Sequence, residues 1–412
     1  MTTNKNKIIN DPVYGFITIP NDLIFEIIEH PYFQRLRRIK QLGLTNLVYP
    51  GALHTRFHHA IGSMYLMQQT LHNLRAKGVE ISEKELEGSL IAILLHDIGH
   101  GPFSHTLEFN LMGSINHEDI SLMFFEHLNR HFNGALSLGL DIFSDQYERK
   151  FFHQLVSSQL DIDRLDYLKR DSFFTGVSEG SIGSERIINM LNVKGDQIVV
   201  EAKGIYSVEN FLSSRRLMYW QVYLHKTSVS AEEMLIQLIR RAKNLTHRGE
   251  KIIATPALTF FLEHTITKDD FTKDAGLIER FALLDDSDIW GSMKFWREHP
   301  DVVLSTLSKN LLNREIFKII LDNEEPSKTF VDQTKDKMRE HTQLSNDELS
   351  YFSCTGKISN AAYIKSNQKI RILDKRGELQ DIEVATDLPN IKAMSKIVTK
   401  HFFCWSPLDN FN

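Results

Sequence analysis

The stretch Leu90–His105, LIAILLHDIGHGPFSH, decides how the rest of the chain is interpreted. Its first half is apolar, and the S-x-x-E pattern of Ser82–Glu85 just before it is typical of a capping box that opens a helix. The apolar run ends in His96 and Asp97, after which two glycines and a proline break the helix. Because a carboxylate at the buried end of an apolar helix must be paired or bound to a cation, the sequence predicts a polar centre here.

Histidine is concentrated around this stretch. The chain has 18 histidines, and eight of them fall within Gly51–Asp119. Imidazole is a common metal ligand, so this segment is the predicted chemical centre. A bare His-Asp pair is short and also occurs at the ends of ordinary surface helices, so the argument depends on its neighbours.

Composition narrows the class of protein. Of 412 residues, 42% are hydrophobic and 25% are charged, as in ordinary globular proteins. The net charge of −5 gives no indication of nucleic-acid binding, although a local basic pocket is compatible with it. Two cysteines, a polar start of the chain and no long apolar run predict a cytoplasmic protein with no membrane segment.

The pattern of apolar residues predicts a mainly α fold with small β-hairpins. One hairpin is expected at Val193–Gly204 and a second around Asp374–Gly377. The strongly polar stretch Asn323–Ser350 divides the chain into a helical core, 1–322, and a small α+β C-terminal domain, 323–412. We also expect a loop at Asn133–Gln146, and helices near Arg314–Leu321 and Ile391–Lys400.

Four residues on or at the ends of helices form a candidate ligand set: His59, His96, Asp97 and Asp163. Two imidazoles and two carboxylates suit a divalent ion such as Mn, Fe, Co, Ni or Zn, with Mg as a further candidate. Such an ion activates water at neutral pH. Arg56 lies three residues before His59, a spacing that suits an anionic substrate on a metal, although this cluster alone is also typical of surface histidines.

Other charged stretches have two interpretations each. The basic run Phe33–Leu42, the Asp- and Arg-rich Leu160–Phe174 and the aromatic and basic Tyr206–Leu245 are each compatible with solvated helix faces. In each stretch the same side chains could instead meet phosphates or a base.

The order H…HD…D resembles that of the HD-domain phosphohydrolases. The fuller match resembles the deoxynucleoside triphosphate triphosphohydrolases of the sterile-α-motif-and-HD-domain type, without the sterile-α-motif domain. It covers about Lys7–Lys243 and rests on seven ordered motifs, which are KIINDPVYG, FQRLRRIKQLG, HTRFHHAIG, LLHDIGHGPFSH, NHE, LDIDRLDYLKRD and YLHK. The resemblance implies an HD-domain helical core that hydrolyses deoxynucleoside triphosphates (dNTPs).

The resemblance also implies roles for single residues. The metal ligands would be His59, His96, Asp97 and Asp163. Three histidines would line the scissile α-phosphate, with His105 as the proton donor to the leaving 5′-oxygen and His100 and His117 beside it. Glu108 stands where the family has an Asp that supports the catalytic histidine.

The implied substrate contacts are spread along the chain. The triphosphate would be held by Arg56, Arg164, Tyr167 and Arg215, where Arg164 replaces a lysine of the family. Gln41 and Leu42 would contact the sugar, where a close fit excludes a 2′-hydroxyl. The positions that flank the sugar and base are those of Tyr167, Asp171 and Tyr223.

The family also binds an activating nucleotide, a dNTP such as dGTP, or GTP, at subunit interfaces. Residues that match part of that site are Lys7, Asn10, Gln34 and Arg37, and Glu29 occupies the place of an Asp. The resemblance therefore implies a homo-oligomer, a dimer or a tetramer, regulated by nucleotide. The same residues could instead support only the fold or a subunit contact.

Two other functions share these features. An HD enzyme acting on another nucleotide (a monophosphate, an alarmone or a cyclic dinucleotide) has the same metal set but has no need for Arg56, Arg164 and Arg215 together. A non-catalytic nucleotide sensor could keep the fold, but it has no use for the full metal set plus His105.

Overall fold

The computed structural model describes residues 7–113, 115–274, 276–360, 369–387 and 397–411, apart from the side chains of His105 and Phe109. The fold is mainly α, as predicted. In chain order the helices are α1 (Asp22–Glu29), α2 (Pro31–Gln34), α3 (Arg56–Ala76), α4 (Glu83–Leu95), α5 (Ser104–Met112), α6 (His117–His131), α7 (Ser137–Phe143), α8 (Lys150–Val156), α9 (Ile162–Thr175), α10 (Ser184–Met190), α11 (Ile205–Met218), α12 (Lys226–His247), α13 (Pro256–Glu263), α14 (Lys268–Lys273), α15 (Gly276–Ala282), α16 (Asp286–Trp296), α17 (Val302–Leu312), α18 (Lys328–His341), α19 (Asn346–Leu349) and α20 (Ile382–Ala385).

The strands are short and form three small sheets. They are β1 (Ile8–Asp11), β2 (Gly15–Thr18), β3 (Leu191–Lys194), β4 (Gln197–Glu201), β5 (Lys318–Asp322), β6 (Ser353–Asn360), β7 (Arg371–Leu373), β8 (Leu379–Asp381) and β9 (Val398–Trp405). The sheet orders are β1-β2, β3-β4-β7-β8 and β5-β9-β6.

Helix α4 lies at the centre of the molecule, with α3 and α7 packed against it. Leu90 and the five residues that follow it are all buried, with 0–1% of their surface exposed. The predicted capping box is present, because the Ser82 hydroxyl accepts from the Glu85 amide and the Glu85 carboxylate accepts from the Ser82 amide. The cap fixes where α4 begins, and therefore where His96 lies at its end.

Both predicted hairpins form. β3 and β4 pair through the turn at Lys194–Gln197, and β7 and β8 pair on either side of Asp374–Gly377. The two hairpins join into one sheet, since β4 and β7 run parallel with Val199 opposite Arg371. A second pairing also crosses residue 323, because β5 lies beside β9.

Three local predictions differ from the structure. The predicted loop Asn133–Gln146 contains helix α7, and the predicted helix near Arg314–Leu321 is replaced by strand β5. Of the predicted helix Ile391–Lys400, residues 391–396 lie outside the described part, and Val398–Lys400 belong to β9.

Among the residues that the structure describes, no helix combines the length and apolarity needed to cross a membrane.

Candidate metal centre and active site

Helix α3 carries the first candidate ligand in its first turn. Thr55 caps the helix, and its hydroxyl and amide both contact Nδ1 of His58, at 3.0 and 3.2 Å. This cap directs His59, one residue later, into the interior, where its side chain is fully buried. Its Nδ1 lies 2.8 Å from the Asp166 carboxylate, so Nε2 faces the centre.

His96 follows the last turn of α4 and is held by the backbone. Its Nδ1 lies 2.6 Å from the carbonyl oxygen of Ile93, so Nδ1 carries the proton and donates it. The Nε2 lone pair then points at Nε2 of His59, only 3.3 Å away. Two lone pairs at this distance repel each other unless a proton or a metal cation lies between them.

Helix α9 brings the third group. Asp161 caps this helix by accepting from the Arg164 amide at 2.8 Å, which places Asp163 in the first turn. One oxygen of Asp163 lies 3.1 Å from Nε2 of His59 and 3.4 Å from Nε2 of His96. The ligand atoms of these three residues all lie within 4.8 Å of one another.

The donor set fits a divalent cation. Each imidazole gives its second nitrogen to an oxygen acceptor, as metal-bound histidines almost always do. Although burial opposes a charge, hydrogen bonds to Asp163 and Asp166 raise the pKa of His59 to about 10. The surroundings of the His59 imidazole therefore strongly favour a positive charge. A divalent cation would bind the Nε2 atoms of His59 and His96 and the carboxylate of Asp163 together.

Asp97 lies beside this group of three. Its Oδ2 is 2.6 Å from Arg56 and 3.8 Å from Nε2 of His59, and its Oδ1 is 3.4 Å from Nε2 of His96. Burial opposes its charge, but His96, His100 and Arg56 hold its pKa well below the usual range. The carboxylate is thus ionised and adjacent to the centre, and its role as a ligand stays a prediction.

The side of the site that is predicted to face the α-phosphate contains stacked imidazoles. The rings of His100 and His117 lie 4.0 Å apart between centroids and 16° from parallel. Nδ1 of His117 is 2.9 Å from Glu108, and Nδ1 of His100 is 2.5 Å from the hydroxyl of Ser104. Burial and Arg56 lower the pKa of His100 well below its usual value, so this ring is neutral. Glu108 therefore supports a histidine of the predicted set.

His105 lies in the first turn of α5, and its side chain is outside the described part. Its predicted role as proton donor stays a prediction.

The predicted triphosphate-binding arginines each have a buried N–H donor, Nε, that makes no hydrogen bond to the described part of the chain. Within the described part of the chain, no acceptor lies within hydrogen-bond distance of Nε of Arg56, Arg164 or Arg215. Their other contacts are with Asp97, with Asp161 and, at 3.4 Å, with the side-chain oxygen of Gln159. A buried guanidinium donor with no partner is costly unless an anion satisfies it.

Tyr167 connects these arginines with the metal centre. Burial raises the pKa of its phenol well above 10, and the charges of Arg215, Arg164 and Asp163 all act on it. Its ring meets the ring of Tyr223 edge to face at 6.0 Å. Tyr223 ends a π-helical turn, Tyr219–Tyr223, a distortion that is frequent at functional sites.

Asp171 and Tyr223, both predicted near the sugar and base, are in direct contact. The Tyr223 hydroxyl donates to one oxygen of Asp171 at 2.8 Å, and Nε2 of His54 lies 2.7 Å from the other. The His54 ring stacks on Phe174 with centroids 4.5 Å apart. The Asp171 carboxylate is thus fixed at both oxygens and only 1% exposed.

The predicted sugar-contacting residues follow α2. The Gln41 amide donates to the His54 carbonyl oxygen at 3.0 Å. In the described part of the chain, the side-chain oxygen of Gln41 is buried and has no donor near it. Leu42 is half-buried against the core.

The residues matching the activator site lie on the surface formed by the β1–β2 hairpin and α1–α2. The amide of Gln34 donates to the Ile28 carbonyl and its oxygen accepts from Arg37, both at 2.8 Å. Burial lowers the pKa of Arg37 and the charge of Glu29 opposes this shift. Lys7 lies 5.8 Å from the Phe25 ring, and Asn10 is opposite Phe16 in the hairpin.

Sequence reasoning missed three groups that position the site. Asp166 bonds to His59, and its spacing of three residues from Asp163 was the signal available in the sequence. Arg170 lies between Asp166 at 2.9 Å and Asp11 at 2.8 Å, fully buried. Arg35, which belongs to the basic run Phe33–Leu42, donates to the carbonyls of Leu284, Ile98 and His100.

Comparison with known proteins agrees with this arrangement. The HD domain model matches residues 56–171, and the model of the HD associated region matches residues 182–256. A crystal structure of a phosphohydrolase from Bacteroides thetaiotaomicron is 50% identical with a TM-score of 0.94, over 97% of this chain and 100% of that one.

Curated relatives include the protein YwfO of Bacillus subtilis, which is 35% identical over 79% of this chain and 75% of its own length. The deoxynucleoside triphosphate triphosphohydrolase SAMHD1 homolog of Dictyostelium discoideum is 34% identical over 58% of this chain. The match spans 50% of that longer protein.

The match to the HD domain model includes the segments that carry His59, His96 and Asp163. With the matching family models, a relative that is 50% identical over its full length and the convergent donor set, the chain belongs to the HD-domain phosphohydrolases.

Proposed function

We propose that the protein hydrolyses deoxynucleoside triphosphates to a deoxynucleoside and inorganic triphosphate. The observation that carries the proposal is the set of three buried Nε donors, on Arg56, Arg164 and Arg215, which have no acceptor in the described chain. Three guanidinium groups beside one metal-ligating set match a polyphosphate better than a monophosphate, which offers fewer oxygens. The Dictyostelium relative, which is named as a deoxynucleoside triphosphate triphosphohydrolase homolog, supports the same substrate class.

A divalent cation held by His59, His96 and Asp163 would supply Lewis-acid activation of water and of the phosphoryl oxygens. The chain's own groups do the rest. The arginines bind the triphosphate and neutralise its oxygens, which stabilises the charge that develops during attack. Arg56 also holds Asp97 in place at 2.6 Å.

The bond changes follow from the products. A water oxygen attacks the α-phosphorus, the bond from phosphorus to the 5′-oxygen breaks, and the 5′-oxygen takes up a proton. We assign this proton transfer to His105, in the first turn of α5, because the family resemblance implies that role for it. An imidazole with a pKa near neutrality is suited to that transfer.

Sugar selection is assigned to the Gln41–Leu42 turn. The buried side-chain oxygen of Gln41 can accept from a sugar hydroxyl, and Leu42 offers an apolar wall. Tyr167 and Tyr223 flank the sugar and base. We expect ribonucleotides to be poorer substrates, because a 2′-hydroxyl against an apolar wall would lose its hydrogen bonds.

The test is chromatography of the products. Pure protein is incubated with Mn²⁺ or Mg²⁺ and with each dNTP singly, and Asp163→Asn serves as the inactive control. Deoxynucleoside plus triphosphate is the expected result. Monophosphate or diphosphate products would place the scissile bond elsewhere and assign the chain to an HD phosphohydrolase of another type. No turnover by either protein would favour a nucleotide sensor.

We further propose regulation by nucleotide in a homo-oligomer. Four residues matching the activator site are exposed on one surface, namely Lys7, Asn10, Glu29 and Arg37, so a second subunit could reach them. Light scattering with and without added dNTPs, alongside activity with single and mixed dNTPs, tests the proposal. Constant size and constant activity would exclude it.

A further inference from the structure

One cavity, whose lining includes Gln159, is not used by the proposed function. It lies between the connection from α8 to α9, strand β4 and strand β7, and it measures about 550 Å³ including its open mouth. Leu160, Val200 and Ile370 form an apolar floor, each at most 5% exposed.

The walls of the cavity are polar and carry positive charge. Gln154, Gln159 and Gln197 contribute amides, while Lys369 and Arg371 contribute two cations. The described lining includes no aspartate or glutamate. Asp381 lies outside this lining, although it is opposite Arg371 across the β7–β8 pair and 3.9 Å from Lys369. The lining itself offers two cations and neutral amides, a combination that favours a small anion.

Arg371 is the main group of this cavity. The parallel pairing of β4 and β7 sets it opposite Val199, so its position is fixed by the backbone. Its half-buried guanidinium makes no hydrogen bond or ion pair to any described residue. Lys369 is only weakly engaged, with its ammonium 3.9 Å from Asp381. A planar guanidinium suits a phosphate group, which it can bind through two parallel hydrogen bonds.

The cavity shares a wall with the substrate site. Gln159 lines the cavity, and its side-chain oxygen accepts from Arg215 at 3.4 Å. The Ser158 amide donates at 2.7 Å to the same Asp161 oxygen that Arg164 contacts. Arg215 therefore contacts a residue that lines the cavity. Arg164 contacts Asp161, which follows the lining residues 158–160 directly in the chain.

We propose that this cavity binds a phosphate-bearing small anion, and that its occupation alters how Arg215 holds the substrate. The shared chemistry is a phosphate group, supplied either by the inorganic triphosphate product or by a nucleotide. The anion binds to Arg371 and Lys369 and shifts Gln159. An altered Gln159 changes the hold on Arg215, so the affinity for substrate changes more than the chemical step.

Calorimetric titration of the full-length protein tests the binding site directly. The probes are inorganic phosphate, inorganic triphosphate and dATP, each added without metal to prevent turnover. We expect a binding event at the cavity in addition to the event at the substrate site and, for dATP, any event at the activator site. Arg371→Gln and, separately, Lys369→Gln should weaken the cavity event at least 10-fold and leave the other events unchanged.

Arg376→Gln is the matched control. It removes the same charge from the exposed turn of the same hairpin, outside the cavity, and should leave all binding events unchanged. Thermal unfolding of each variant shows whether the fold is retained. If the event weakened in the cavity variants occurs with inorganic triphosphate but not with dATP, the ligand is the product. If it occurs with dATP, the ligand is a nucleotide.

Equal numbers and affinities of binding events in wild type and both cavity variants would overturn the proposal. This result is distinct from failure of the proposed hydrolysis, because the titration needs no turnover. If hydrolysis occurs, triphosphate should raise KM and give mixed inhibition in the wild type but purely competitive inhibition in Arg371→Gln. Purely competitive inhibition in both would contradict the connection to Arg215.

Discussion

At the metal centre, each imidazole is oriented by a different acceptor. His96 uses a backbone carbonyl, whereas His59 uses the buried carboxylate of Asp166, which Arg170 also contacts. Burial opposes ionisation of Asp166, but Arg170 and His59 lower its pKa to about 2, so it stays ionised. The orientation of His59 therefore depends on a charge that can be removed by mutation.

We expect Asp166→Asn to weaken divalent-metal binding by about 10- to 100-fold, the usual effect of losing a partner of a metal-bound histidine. The asparagine keeps the size but loses the charge that orders the Nδ1 proton of His59. Calorimetric titration of the metal-depleted protein with Mn²⁺ measures the change.

Asp332→Asn, an exposed aspartate on α18, makes the same chemical change away from the site and should bind as the wild type does. An unchanged affinity in Asp166→Asn would show that the carboxylate does not support the metal ligand.

Residue types at fixed spacing made part of this site predictable. The apolar helix ending in His96 and Asp97 indicated a buried polar centre, and the ordered motifs added His59 and Asp163. The pairing of His54 with Asp171 could not be foreseen, because it joins residues 117 positions apart and is visible only when α3 and α9 pack. The same holds for Arg170 with Asp11, which are 159 positions apart.

The contact between α3 and α9 depends on one glycine. A Cβ on Gly62 would lie 2.0 Å from Nη2 of Arg170 and 2.2 Å from Oδ1 of Asp166. The close approach lets the buried ion pair lie directly against α3, one turn after His59. Helix packing and ligand orientation are thus set by the same contact.

Gly62→Ala should lower the free energy of unfolding by about 3 kcal/mol or more, because it forces apart a buried, hydrogen-bonded ion pair. Metal affinity should fall with it. Gly291→Ala on α16 is the control, since a Cβ there has no atom within 4 Å. In that helix the change should stabilise by up to about 1 kcal/mol. Urea unfolding of both variants measures the difference, and equal stabilities would contradict the packing argument.

The start of α4 is fixed by charge as well as by its cap. Glu85 accepts from Ser82 and also contacts Arg149 and, at 2.9 Å, the hydroxyl of Tyr147. Although burial opposes ionisation, these bonds lower the pKa of Glu85 from 4.5 to about 2. Its stabilising effect is present above pH 4.5 and is lost as the pH falls towards 2.

We expect Glu85→Gln to cost about 1–2 kcal/mol at pH 7, because solvent screening reduces the full value of about 1.4 kcal/mol for each pKa unit. The difference in free energy of unfolding between the variant and the wild type should fall to about half or less at pH 3. Glu83→Gln changes an exposed neighbour in the same turn and should alter stability by less than about 1 kcal/mol at any pH. Urea titrations between pH 7 and pH 3 measure the difference. A difference that does not depend on pH would contradict the role of the Glu85 charge.

Elements were predicted well where local pattern decides them, and poorly where distant contacts do. The apolar run of α4 and the Lys-Gly-Asp turn of the β3–β4 hairpin are local signals, and both elements form. The weak pattern of Asn133–Gln146 predicts a loop where helix α7 forms. A Cβ on Gly139 would lie 2.9 Å from Ile91, so this glycine permits the close packing on α4 that stabilises the helix. Strand β5 was taken for a helix because its partner β9 lies about 80 residues later.

The whole molecule has a hydrophobic core that extends across residue 323. Buried residues from Ile17 to Cys404 form one contiguous cluster, which includes Phe352 and Phe402 from beyond that point. The predicted division into 1–322 and 323–412 remains untested as a statement about independent folding. The two sheets that cross residue 323 favour unfolding as a unit, because each half would lose strand partners and buried apolar area.

We therefore expect the full chain to unfold in one calorimetric transition. A fragment ending at Asp322 should have a lower melting temperature or fail to fold, because β5 then lacks β9 and the β4 edge lacks β7. Differential scanning calorimetry of both chains, with circular dichroism to record helix content, measures this. Two separate transitions in the full chain, with a fragment as stable as the first of them, would instead establish residues 323–412 as an independent domain. In that case the cavity lined by Arg371 would lie between two separately folding units, and ligand binding there should raise the second transition more than the first.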